Sequence, residues 1–316
     1  MFRILPTFRW YKPLLAILVG GVLYYGFSFV YQLIVLGIVE AVGGHQAEVA
    51  LLKAQAQDQQ NASDPLVMLF TLGSVATMLP AVLLGVRIAR LGTFGQLTSV
   101  MGRLRWRWLA RLIVPGVVYM AITIMLGLIV PASWQGDTGG AEQATPPGAL
   151  AVSIVLIVLL VPFQAAGEEF AFRGLGMQAL GSWFRWPIVA IVVPTVGFAF
   201  AHNYNVWGKL DVAALGVSFA YLTWRTGGLE AGLVAHVINN VVVFIVAAPV
   251  VTSTESDGTP VGAAITVVAS AVYVLLVTGL ARKHQPERIA PSTAPGSPAQ
   301  LIPNPTPPSP RVGGAS

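Results

Sequence analysis

Glu168, Glu169 and Arg173 close one long apolar run, His202 closes the next, and His236, Asn239 and Asn240 sit inside a third. Ionisable groups inside apolar runs are costly to bury, so where they occur they are candidates for function. Glu169 and Arg173 are four residues apart, which on a helix puts them on one face and within reach of an ion pair. Glu168 points about 100° away around the same helix and cannot share that partner equally. One carboxylate is then pinned and its neighbour is left available as a general base. His236 and Asn240 repeat the four-residue spacing and present an imidazole and an amide side by side. Phe198 and His202 repeat it again. A glutamate and a histidine can hold and deprotonate a water, and a second histidine with an asparagine can donate to a developing oxyanion. This is equipment for hydrolysis, of a peptide amide for instance, without a serine or cysteine nucleophile. Taken one at a time, each group has a plainer use: an interfacial ion pair, or a hydrogen bond that glues two membrane helices together. Together they account for almost every ionisable group buried in apolar sequence.

The elements that must position these groups follow from composition. Of 316 residues, 55% are hydrophobic and 10% charged, with no cysteine. Soluble domains carry about 25% charged residues, so a water-facing surface cannot be covered and an ordinary cytosolic fold is excluded. Disulfide frameworks and thiolate metal sites are excluded with it. Runs long enough for a bilayer core lie in 13–39, 65–86, 112–136, 143–167, 186–208, 231–254 and 258–281, with a shorter one at 212–224. The fold class expected is all-α, a polytopic membrane bundle of about eight transmembrane helices with both termini in the cytoplasm. On that path 16 of the 18 basic residues fall inside, leaving Lys53 and Lys209 outside, as the positive-inside rule requires. The first run is too long for a signal-peptide core and reads as a retained span. The stretch 103–111, arginine alternating with tryptophan and leucine, reads as the flank of the third span or a headgroup-level helix. Three regions follow: a three-span part over 1–148 with a basic cytoplasmic loop, the motif-bearing bundle over 149–284, and a tail over 285–316 whose 9 prolines predict disorder. The net charge of +5 is dispersed through loops. It points to membrane lipids as neighbours, not to nucleic acid.

One conflict arises in this picture. Glu168 falls near the cytoplasmic end of span four, whereas His202 lies about 22 Å along span five, toward the outside. They cannot meet on straight helices. Span four must run on past Arg173, or span five must tilt or break at Pro194, or 174–186 must re-enter the interior. A water-filled cavity open to the cytoplasmic half is expected to join the motifs.

Read in order, Glu168-Glu169-Phe170-Ala171-Phe172-Arg173 matches E-E-x-x-x-R, Phe198 to His202 matches F-x-x-x-H, and His236 to Asn240 matches H-x-x-x-N. This sequence resembles the CPBP family of CAAX-prenyl proteases and bacteriocin-processing enzymes, also called the Abi family, over roughly 150–250. The resemblance implies an intramembrane endopeptidase cutting near the cytoplasmic face of a bacterial cell membrane, with a peptide or membrane-protein substrate. Carried over, Glu168 is the general base, His202 holds the water with it, His236 and Asn240 form the oxyanion site, and Glu169 and Arg173 support. No cofactor is favoured; a zinc ion held by Glu168, His202 and His236 is the alternative, although the spacing has nothing of H-E-x-x-H. The other functions open at this stage are a non-catalytic membrane partner of the bacteriocin-immunity type and a proton-coupled transporter. No internal repeat supports a transporter.

Overall fold

The computed structural model describes residues 2–5, 7–57, 61–131, 134, 143–251 and 258–289. It is an all-α polytopic bundle. Its helices are α1 (Lys12–Gly43), α2 (His45–Gln57), α3 (Pro65–Ala76), α4 (Met78–Ile88), α5 (Phe94–Thr98), α6 (Trp106–Ile129), α7 (Pro147–Glu169), α8 (Met177–Trp183), α9 (Pro187–Phe200), α10 (Val206–Thr226), α11 (Glu230–Ala247) and α12 (Pro260–His284). A π-helical turn, Phe170–Gly176, joins α7 to α8 without a break. A pair of two-residue strands, β1 (Gln143–Ala144) and β2 (Val250–Val251), closes one end.

Among the described residues, six helical stretches are long and apolar enough to span a bilayer: 12–43, 65–88, 106–129, 147–183, 230–247 and 260–284. The other two of the expected eight differ in kind. Helix α9 has 14 residues, about 21 Å of rise, and α10 carries Lys209, Asp211 and Arg225. Both still run between the two faces of the bundle. One face gathers the basic ends. Arg3 donates to the Ser182 carbonyl at 2.5 Å, Lys12 Nζ to the Arg90 carbonyl at 3.1 Å, and Trp183 Nε1 to the Trp10 carbonyl at 2.7 Å. On the same face the Val100 N–H donates to the Gly227 carbonyl at 2.9 Å. On the other face, Thr145 N–H donates to the Pro249 carbonyl and Asn205 Nδ2 to the Gly258 carbonyl. The first face gathers most of the described arginines and lysines and is the one the positive-inside rule assigns to the cytoplasm; it is called the cytoplasmic face on that ground.

Local chemistry sets the ends. Asp64 caps α3 by accepting from the Leu66 and Val67 N–H groups, and Pro65 occupies the first turn, where its missing N–H costs nothing. Thr259 and Pro260 repeat the device at α12. Gly227, with φ of +74°, ends α10 in the left-handed conformation that glycine adopts without strain. Stretch 103–111 is the flank of the third span, since α6 starts at Trp106.

Among the described residues the bundle packs as three larger apolar clusters and a small fourth, Met177, Ile191 and Ala220. Leu112 and Tyr119 of α6 meet Phe219 of α10, Val234 of α11 and Tyr273 of α12. Val67 and Met68 of α3 meet Val35 of α1 and Ile157 of α7. Val82 and Val86 of α4 meet Ala16 of α1 and Phe170 and Leu175 of the π-turn region. Each of the three larger clusters joins helices from both sides of residue 148, so the first three spans form the wall on which the motif helices stand. Of the tail expected over 285–316, residues 290–316 lie outside the described residues. Residues 285–289 return to the cytoplasmic face, where the Glu287 carbonyl accepts from Arg105 Nη1 at 2.7 Å.

Candidate active site

Span four does not stop at Gly167. It runs on as one helical rod over 147–183, and this resolves the conflict between Glu168 and His202. The rod turns back at 184–186 into α9, so residues equally far from the turn lie at equal depth. Contacts confirm that register: Phe172 packs edge-on against Phe198 with ring centroids 5.1 Å apart, and a Cβ at Gly176 would lie 3.6 Å from Pro194 Cβ. The same count sets Glu168 opposite His202, and the two are close enough to interact electrostatically. The π-turn falls across Arg173. Such single turns widen a helix locally and recur at functional sites.

Four of the six residues given catalytic or supporting roles by the motifs meet directly. Glu169 is fully buried, and its Oε1 accepts from Arg173 Nη1 at 3.0 Å and from His236 Nδ1 at 2.9 Å. The predicted ion pair one turn apart is therefore present. His236 Nε2 lies 3.3 Å from Glu168 Oε2, which also accepts from Gln164 Nε2 at 2.8 Å. Both contacts of Glu168 fall on Oε2, and its side chain keeps 10% exposure. Oε1 is left without a partner among the described residues. The Arg173 guanidinium rests 4.3 Å from the Phe198 ring centroid, a cation–π contact that secures a buried arginine. Asn240 joins at one remove: its Nδ2 donates to Gln164 Oε1 at 3.1 Å. His202 Nδ1 is 2.8 Å from the Phe198 carbonyl. A carbonyl only accepts, so Nδ1 carries the proton and Nε2 is the nitrogen left to face a ligand.

The arrangement differs from expectation in three ways. His236 does not stand beside Asn240 as a pair of outward donors. It bridges the two glutamates, because Gly232 one turn earlier lets α11 approach until a Cβ there would be 2.6 Å from Glu169 Oε2. Glu168 is anchored through one oxygen instead of standing free. The cavity on the cytoplasmic side, of about 320 Å³, is lined by Arg173 but not by Glu168, His202 or His236. Sequence reasoning also passed over Gln164, the amide that ties Glu168 to Asn240, although it stands one turn before Glu168 in an apolar run. It passed over Tyr119 too, whose hydroxyl donates to Asn239 Oδ1 at 2.8 Å while Asn239 donates to Asn240. The polar line thus runs from α6 through α11 to α7.

The ligand atoms of Glu168, His202 and His236 do not converge as they stand. Among the described residues, convergence of that kind is found at Glu40, His45 and Glu48, on the opposite face and largely exposed.

Residues 149–242 match the family profile described as type II CAAX prenyl endopeptidase Rce1-like. The uncharacterized protein YyaK of Bacillus subtilis (strain 168) is 27% identical over 192 residues, which cover 58% of this chain and 62% of that protein. The match therefore spans less than two thirds of the relative's length. No solved structure matches the chain. The matched stretch contains every residue of the Glu168–Glu169–Arg173–His202–His236–Asn240 constellation, and over 149–242 this multi-pass membrane protein is similar to the Rce1-like domains of the CPBP family.

Proposed function

We propose that this chain is an intramembrane endopeptidase of a bacterial cell membrane that hydrolyses a peptide bond near the cytoplasmic side with water activated by Glu168. The observation that carries this reading is the asymmetry of the two carboxylates. Glu169 is buried and doubly bonded, whereas Glu168 is fixed through Oε2, keeps Oε1 without a partner among the described residues, and lies within electrostatic range of His202.

In this reading water sits between Glu168 Oε1 and His202 Nε2. Glu168 takes a proton from it as the water oxygen attacks the scissile carbonyl carbon. Asn240 has a second N–H beyond the one given to Gln164, and that N–H meets the oxygen on which negative charge develops. Glu168 returns the proton to the departing amide nitrogen as the C–N bond breaks, leaving a carboxylic acid and an amine. His236, held by Glu169, which Arg173 pins in turn, keeps Glu168 in place and balances its charge. No step requires a metal. The partners are membrane lipids and a peptide or membrane-protein substrate.

The test is cleavage of a peptide library by the purified protein in lipid nanodiscs, read by mass spectrometry, with Glu168→Gln alongside and a chelator in a parallel arm. Cleavage that falls at least about 100-fold in the variant and ignores the chelator supports the reading. Equal cleavage by both proteins overturns it, and loss of activity on chelation overturns its metal-free form.

A further inference from the structure

The first span brings to the depth of Glu168 a polar group that the mechanism leaves unused. Gly20, Tyr24 and Ser28 of α1 stand four residues apart and so share one helix face. Gly20 and Ser28 are buried, and both turn that face to the 65–88 span. A Cβ at Gly20 would lie 3.7 Å from Val82 Cα, and Ser28 Oγ meets Ser74 Oγ at 2.6 Å. Tyr24 lies between these two contacts, at the level of Met78, which is four residues from Val82 and four from Ser74. Gly167 reaches the same level from α7, where its Cβ would stand 3.2 Å from Met78 Cβ. Tyr24 and Glu168, the residue after Gly167, are therefore at one depth, and they are close enough to interact electrostatically. Helix α1 also packs on the turn that follows Glu168, where Ala16 joins the cluster of Phe170 and Leu175.

The Tyr24 hydroxyl is unmet. The ring stands 5.4 Å from that of Tyr25 between centroids, but the hydroxyl has no hydrogen-bond partner among the described residues. Tyr24 is half-buried, near the middle of the 32-residue α1. A hydroxyl taken from water without a partner costs free energy, and a buried tyrosine usually finds one. Glu168 Oε1 is also without a partner. Two helices thus offer, at one level, a donor and an acceptor that nothing described satisfies.

We infer that Tyr24 binds the substrate, donating its hydroxyl to a backbone carbonyl of the peptide whose scissile bond faces Glu168. The inference rests on the peptidase reading above. A peptide drawn into the bilayer gives up the water on its backbone, and its carbonyls then need donors. A phenol supplies one, and the bond holds the peptide in register with the carboxylate. Tyr24 lies outside the matched residues 149–242, so the N-terminal wall completes the site. Tyr25 points about 100° away around the helix, is 75% exposed, and takes no part.

Steady-state cleavage in nanodiscs compares wild type, Tyr24→Phe and Tyr25→Phe on the best-cut peptide of the library. Tyr24→Phe should lower kcat/KM by about 3–10-fold, the size of one neutral hydrogen bond, and Tyr25→Phe by less than about twofold. The same peptide is then made with each carbonyl in turn exchanged for a thiocarbonyl, a weaker acceptor. One exchange should cost wild type about 3–10-fold and Tyr24→Phe less than about twofold, and its position names the carbonyl. A merely structural tyrosine would lower cleavage of every peptide alike. Equal kcat/KM in wild type and Tyr24→Phe overturns the inference, and so does a thiocarbonyl profile that is the same in both. Binding is read apart from cleavage, by placing p-azidophenylalanine at position 24 or at position 25 of the Glu168→Gln protein and illuminating with the whole library. Cross-linking is expected from position 24 and not from position 25, and equal cross-linking from both overturns the inference. Cross-linking from position 24 alone in a protein whose wild type cuts nothing removes the peptidase reading alone. Cleavage by Tyr24→Phe at the wild-type rate removes the Tyr24 inference alone.

Discussion

Gly232→Ala adds one methyl group at the point where α11 comes closest to the buried carboxylate. The new Cβ would stand 2.6 Å from Glu169 Oε2 and 3.1 Å from Phe219 Cβ, where ordinary contact begins at 3.4 Å, so the carboxylate or the helix must move by about 0.8 Å. Glu169 has little room to yield, since Oε1 holds Arg173 at 3.0 Å and His236 at 2.9 Å. A displacement of that size lengthens one or both bonds, and His236 carries the error to Glu168. Alanine improves intrinsic helix propensity by about 1 kcal/mol over glycine, while overpacking costs about 1–3 kcal/mol. The net change in stability is therefore small. Misplacing a catalytic group by about 1 Å costs roughly 100-fold in rate. The expected signature is a nearly unchanged unfolding temperature in detergent with kcat down by about two orders of magnitude. Gly127→Ala is the control, because a Cβ there meets nothing within 4 Å. Wild-type kcat in Gly232→Ala would refute the claim that the Glu169–His236 contact sets the position of Glu168.

Three further outcomes follow from named contacts. Arg105 and Glu230 form a buried, two-pronged ion pair at 2.8 and 2.6 Å, so Glu230→Ala should destabilise by about 3–5 kcal/mol and the Arg105→Ala/Glu230→Ala pair by clearly less than the sum of the single changes. Thermal unfolding of the four proteins measures this. Gln164→Leu removes the link between Glu168 and Asn240, and should lower kcat by about 10–100-fold, with KM little changed in steady-state cleavage. Cysteines at Gly176 and Pro194 should form a disulfide on mild oxidation, because their Cβ atoms would sit 3.6 Å apart, within the range a disulfide requires. The native chain has no cysteine, so a mass loss of two hydrogens reports the register of the π-turn against α9 directly.

The sequence carried most of the site as residue types and spacings, and less of it as geometry. The three motifs, the Glu169–Arg173 pair and the spans rest on short-range periodicity, which a helix converts directly into shared faces. The continuation of α7 through Arg173 to Trp183 stood in the sequence as one of three ways to bring Glu168 to His202, and spacing alone does not choose among them. Gly174, Gly176 and Gly181 lower helix propensity there, and tertiary packing around Phe170 and Leu175 outweighs that. The depth match of Glu168 and His202 depends on where the hairpin turns, and so on that extension. The role of His236 as a bridge depends on how near Gly232 lets α11 approach, a distance no spacing encodes. Arg105 looked like one more positive-inside residue, and only the fold brings it 125 positions along the chain to Glu230. Gln164 had a signal that could have found it: an amide in an apolar run, one turn before Glu168.

The central claim is that Glu168 activates a water for attack on a peptide bond. Single-turnover cleavage in ¹⁸O-labelled water tests it most directly, with wild type, Glu168→Gln and His202→Ala compared on one peptide. The account predicts one ¹⁸O atom in the new carboxyl group, a rate at least about 100-fold lower in Glu168→Gln, and a smaller loss in His202→Ala. Cleavage by Glu168→Gln at the wild-type rate would contradict it.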